Sequence, residues 1–128
     1  MSEQASKPAT SLIEEVNQLH SQLCAGLADA KRILILYALA EKSLNVSELA
    51  EYLGLPQPTA SRHLKMLRER SLVTAHREGT SVYYELTDTR VIDALDILRA
   101  VLADQLESQA DLARSAGANL HTFEDQQE

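Results

Sequence analysis

A mainly α-helical fold with one small β-hairpin is what this chain predicts, and three adjoining stretches predict it. Residues 46–55 (VSELAEYLGL) place Leu49, Ala50, Leu53 and Leu55 on one side of a helix that stops at Gly54. Residues 57–68 (QPTASRHLKMLR) form a second helix with Ala60, Leu64 and Leu67 inward. Residues 72–86 (LVTAHREGTSVYYEL) are two β-favouring runs joined through Glu78-Gly79. Helix, tight turn, helix and hairpin is the order of a winged helix-turn-helix, an arrangement that pushes one helix into a DNA groove.

The flanking elements follow from spacing. Leu12, Val16, Leu19 and Leu23 recur at helical intervals up to Gly26. Asp29 can cap the next helix, in which Ile33, Leu34, Leu36, Tyr37 and Leu39 are too apolar to lie on a surface. Residues 43–45 read as a connection, and Val46 or Ser47 opens the motif. After the hairpin, Thr87 or Asp88 caps a last helix from about Thr89 to Ser115, striped by Leu95, Leu98, Leu102 and Leu106 and ended at Gly117. The expected organisation is a flexible tail over 1–10, one DNA-binding and dimerisation domain over 11–116, and a flexible tail over 117–128. The first and last helices carry apolar stripes that a small winged-helix core does not need. Pairing them in a homodimer would present two recognition helices to a pseudo-palindromic site, with half-sites about one helical turn apart.

Composition narrows the class further. The chain has 128 residues, 45% of them hydrophobic and 4% aromatic, so one core of Leu, Ile, Val and Ala is expected. No apolar run approaches the roughly 20 residues that span a bilayer, and the start MSEQASKPATS lacks the layout of a secretory signal. A single cysteine excludes an intrachain disulfide framework. A cytoplasmic protein without a membrane partner is the expectation. There is no Gly-rich phosphate loop, HExxH or nucleophile elbow, so neither an enzyme nor a cofactor is expected. The net charge of −7 is unevenly placed. Between Gln57 and Gly79, Arg62, Lys65, Arg68, Arg70 and Arg77 face only Glu69 and Glu78; that stretch carries +3 and the remainder −10. A basic patch on an acidic body suits double-stranded DNA bound by one face.

From about Leu19 to Leu86 the residues resemble the ArsR/SmtB family of small dimeric bacterial repressors. LADAKRILILYAL (Leu27 to Leu39) is similar to the family's approach to its second helix. VSELAEYLGLPQPTASRHLKMLRERSLV (Val46 to Val73) resembles its helix-turn-helix, and REGTSVYYEL (Arg77 to Leu86) its wing. The resemblance implies an α-helical fold with a β-wing, dimerisation through the terminal helices, and repression relieved by a metal ion or another signal.

On the second motif helix, Ser61, Arg62 and Lys65 point outward, with Gln57 and Thr59 near the exposed start. Gln pairs bidentately with adenine and Arg with guanine, whereas Ser and Thr serve either a base or a phosphate. Lys65 and Arg68 suit phosphates, which position a protein without reading sequence. His63 lies at the edge of the inward face; the resemblance to the family's SRHLK pattern implies a place near DNA, and packing against the first motif helix is the other reading. Arg77 could reach a minor groove or a phosphate, and Thr80 and Ser81 could donate to phosphates. Of Tyr83 and Tyr84, which point in alternate directions, one should pack while the other contacts backbone; Tyr83 is the candidate and Tyr84 reads as an ordinary strand residue. A winged helix used for protein contact, without specific DNA binding, is the alternative function.

The metal patterns of that family are missing. Its thiolate sensors carry a Cys-Val-Cys-type segment where this chain has Leu44-Asn45-Val46-Ser47-Glu48, and its zinc sensors use histidines on the last helix, which here has none before His121. No metal site is therefore expected. His20 and Cys24, four residues apart on the first helix, are the possible sensor pair. Cys24 itself reads as a core residue, with a thiol switch or a shared metal as alternatives. His76 reads as a surface strand residue.

Overall fold

The computed structural model describes residues 9–127, with side chains from 9 to 117. It divides into two units, Met1–Thr89 and Arg90–Glu128. The first opens with α1 (Thr10–Leu19), which runs through a π-helical segment (His20–Cys24) into the short α2 (Ala25–Leu27). Arg32 closes α2 by donating from Nε to the Gly26 carbonyl at 2.7 Å and from Nη2 to the Ala25 carbonyl at 3.2 Å. Helix α3 (Ala30–Glu41) starts as its sequence implies, with the Lys31 N–H donating to Asp29 Oδ1 at 2.8 Å. Ile35, Leu36, Ala38 and Leu39 are its buried residues. Leu34 is exposed rather than inward, and Ile33 and Tyr37 are half-buried. A helix has one core-facing arc, and a nearly continuous apolar run hides which residues fall outside it.

The motif itself follows local chemistry. Helix α4 (Val46–Leu53) begins with a capping box: the Glu48 N–H donates to Asn45 Oδ1 at 2.8 Å, and the Asn45 N–H to Glu48 Oε1 at 3.0 Å. It ends at Gly54 (φ 66°), whose left-handed backbone lets Gly54 N–H reach the Glu51 carbonyl and Leu55 N–H the Ala50 carbonyl. Helix α5 (Gln57–Glu69) carries Pro58 in its first turn, where a missing N–H costs nothing. Ala60, Leu64 and Leu67 have no exposed surface, as their spacing predicts. The helix closes with the same bond pattern as α4, Ser71 N–H to the Arg68 carbonyl and Leu72 N–H to the Leu67 carbonyl. Here Ser71 supplies the left-handed residue (φ 60°) without being a glycine.

Strands β2 (Val73–Glu78) and β3 (Ser81–Leu86) form the hairpin, with Glu78 opposite Ser81. The turn is Gly79-Thr80, one residue later than expected, and Gly79 (φ 63°) takes the first central position that favours glycine. A third strand, β1 (Leu44–Asn45), pairs antiparallel with β3, giving the order β1-β3-β2. Residues 43–45 are thus more than a connection. Two residues show no alternation of their own, and their β character comes from the partner strand.

The second unit is α6 (Arg90–Gln127), 38 residues long. It passes through Gly117 instead of ending there. A lone helical glycine costs about 1 kcal/mol against alanine, and no proline follows to stop the helix. The side chains of the expected tail over 117–128, past Gly117, and most of the tail over 1–10 lie outside the described residues. No helix among the described residues is long and apolar enough to cross a membrane.

Candidate nucleic-acid interface

Burial of one side of α5 dictates what its other side offers. With Ala60, Leu64 and Leu67 locked inward, Gln57, Ser61, Arg62, Lys65 and Arg68 are all exposed. Ser61, Lys65 and Arg68 follow an i, i+4, i+7 row, and Arg62 stands beside it. Thr59 is half-buried, although the sequence places it with the exposed start, and its Oγ1 lies 3.4 Å from Arg62 Nη2. Lys65, Arg68 and Arg77 have no ion pair among the described residues, so their charge is available to an outside anion. Arg70 is different: its guanidinium donates to the Ser21 carbonyl in the π-helical segment, which removes it from the outward basic patch.

At the start of α5, Gln57 Nε2 donates to Ser47 Oγ at 3.0 Å. This ties the second motif helix to the N-terminus of the first. An open cleft of about 400 Å³ lies there, lined by Val46, Gln57, Pro58 and Ser61. A smaller one, about 180 Å³, lies between Asn45, Val46 and Ser47 and the wing residues Ser81 and Val82. Sequence reasoning missed Ser47. Nothing periodic links it to a residue ten positions later; only the turn between the helices does.

His63 is half-buried and feels the charges at the start of α3, those of Asp29, Lys31 and Arg32. Desolvation holds its pKa below the ordinary imidazole value; Asp29 opposes this, and the charges of Arg32, Lys31 and Arg62 add to it. Asp29 is itself held below the usual carboxylate range, chiefly by the hydrogen bond from the Lys31 N–H.

In the wing, Arg77 and Thr80 are exposed at the tip while Ser81, Tyr83 and Tyr84 are half-buried. Tyr83 lies across from His76 in the ladder, and their rings stack with centroids 6.1 Å apart at 25°. His76 Nε2 also lies 3.4 Å from Glu78 Oε1, so it is more engaged than a plain surface residue. Cys24 is exposed, not in the core as its residue type suggests, and His20 is exposed as well. Both lie in the π-helical segment, off the buried face of the first unit. Among the described residues no group of three or more His, Cys, Asp or Glu side chains could hold a metal ion.

A second helix anchored by three buried residues, with an outward polar and basic row and a hairpin beside it, defines a winged helix-turn-helix domain. Comparison with known proteins narrows the class. Residues 29–75 match the model of the bacterial regulatory protein, arsR family. The transcriptional regulator NmtR of Mycobacterium tuberculosis is 34% identical over 90 residues, which cover 70% of this chain and 75% of that one. The regulator KmtR of the same organism is 45% identical over 65 residues, 51% of this chain, and the match spans only half of KmtR. Among solved structures, the homodimeric winged helix-turn-helix DNA-binding domain of Mb0332 from Mycobacterium bovis superposes with a TM-score of 0.66 at 29% identity. That match covers 77% of this chain and 91% of the domain. The chain belongs to the ArsR family.

Proposed function

We propose that the chain is a sequence-specific DNA-binding transcriptional regulator, a homodimeric repressor that holds a pseudo-palindromic operator through residues 57–68 and the wing 73–86. The observation that carries this reading is the α5 surface, buried completely along Ala60, Leu64 and Leu67 and open along Gln57, Ser61, Arg62, Lys65 and Arg68. In this reading Gln57 and Arg62 read base edges, and Ser61 and Thr59 assist at a base or a phosphate. Lys65, Arg68, Thr80 and Ser81 hold phosphates, and Arg77 enters the minor groove or meets the backbone. Tyr83 and His63 lie at the margins of the contact, each already engaged within the fold. The dimer covers the apolar residues that α1 exposes (Leu12, Ile13, Val16, Leu19) and those that α6 exposes (Ile97, Leu98, Val101, Leu102, Leu106). Homodimery of the Mb0332 domain supports that assignment. The protein acts in the cytoplasm as a regulator and not as an enzyme.

Fluorescence anisotropy of the purified, reduced protein on its own upstream DNA, over a salt series, tests the reading. Tight binding that weakens steeply with salt and survives excess unrelated DNA is expected. Equal affinity for any sequence, or none, overturns it in favour of a protein-contact module.

A further inference from the structure

We propose that Ser47 is a positioning residue that sets Gln57 to read an A·T pair, so that part of the sequence preference resides outside the recognition helix. The proposal rests on the DNA-binding reading above and deepens it. A glutamine amide has two N–H donors and one carbonyl. On a surface it rotates about several bonds, and much of the value of a bidentate base contact is lost in ordering it. In this fold one Gln57 N–H is already given to Ser47 Oγ at 3.0 Å. The other N–H and the carbonyl remain, the pair of groups that adenine N7 and N6 require.

The placement of the bond makes it selective. Ser47 lies in the first turn of α4, where the Asn45–Glu48 capping box fixes the backbone. Gln57 is the first residue of α5, the end of the helix that approaches the bases. Gln57 also lines the larger open cleft and Ser47 the smaller, with Val46 common to both, so the pair stands where the two clefts adjoin. The Ser47 oxygen accepts from Gln57, which leaves the hydroxyl hydrogen free to donate to a phosphate passing between α4 and the wing. One hydroxyl then couples backbone position to base reading.

The test uses the full chain and an operator selected from a random DNA pool. Gln57→Ala first identifies the base pair that Gln57 reads, as the position whose preference disappears. Affinities for all four base pairs at that position are then measured for the native chain, Ser47→Ala and Ser47→Thr, with circular dichroism confirming that each is folded. Ser47→Ala should weaken all four sequences modestly and equally through the lost phosphate donor and, beyond that, reduce the adenine preference by about fivefold or more; Ser47→Thr, which keeps the hydroxyl, should restore both. The proposal is overturned if Ser47→Ala keeps the full preference. It is equally overturned if Ser47→Ala weakens all four sequences alike, which makes Ser47 a phosphate contact only, or if Gln57→Ala erases no preference. In each of these cases specific binding by the native chain persists and the repressor reading stands. Absence of specific binding by the native chain sinks both.

Discussion

Helices α5 and α1 are both amphipathic, and the chain treats them in opposite ways. In α5 the apolar row is sealed: Ala60, Leu64 and Leu67 have no exposed surface. In α1 the row stays open, with Leu12, Ile13, Val16 and Leu19 each close to half exposed. The spacing of apolar residues is therefore enough to make a helix and to orient it, but not to say which surface covers it. Helix α5 is completed by its own chain, packed among α3, α4 and β2. Helix α1 keeps an open apolar row, the one that the proposed homodimer would cover.

The contrast can be broken at either end. Leu64→Ala should cost the most, about 2–5 kcal/mol of folding stability, because the site is closed on all sides and a cavity remains. A urea midpoint within error of the native value would show that the apolar row of α5 is not sealed against its neighbours. Val16→Asp should leave the monomer folded but weaken dimerisation by about 2–3 kcal/mol, on the order of a hundredfold, since a charge would enter an apolar interface. Sedimentation of an unchanged dimer would remove α1 from that interface. Arg62→Ala should weaken operator binding by about 1–3 kcal/mol and relax preference at one base pair, without altering stability. A uniform loss on all sequences would make Arg62 a phosphate contact.

Two smaller effects sharpen the account of the sealed side. His63 titrates below its ordinary value in the folded chain, so the unfolded chain binds the proton more readily. Its contribution is fully present above about pH 6.5 and is lost as pH falls from there through the folded pKa. Urea unfolding at pH 7.5 and pH 5.5 should thus show a smaller loss in His63→Gln than in the native chain; an equal loss would place the titration elsewhere. Ser71→Gly should stabilise by roughly 0.5 kcal/mol, because a β-carbon in the left-handed region is strained while glycine carries only its entropic cost. A melting temperature lowered by that substitution would mean that the serine is not strained.

The outward row of α5 was legible because it is the complement of an apolar row that the spacing displays. Gln57, Ser61, Arg62, Lys65 and Arg68 all stand where that complement puts them. Arg70 and Cys24 were not legible in this way. Residue type placed the first in a basic patch and the second in a core, whereas the fold turns Arg70 to the Ser21 carbonyl and leaves Cys24 at the surface.

By itself the sequence determined what depends on neighbours within a few residues: the helix periods, the Asp29 cap, the Gly54 stop and the glycine of the hairpin turn. These are set by backbone sterics and local hydrogen bonds, and they read the same in any surroundings. Only the tertiary structure decided the strand Leu44–Asn45, the left-handed Ser71 and the Ser47–Gln57 bond. Each needs a partner, or tolerates a strain, supplied by parts of the chain that meet only after the helices have packed.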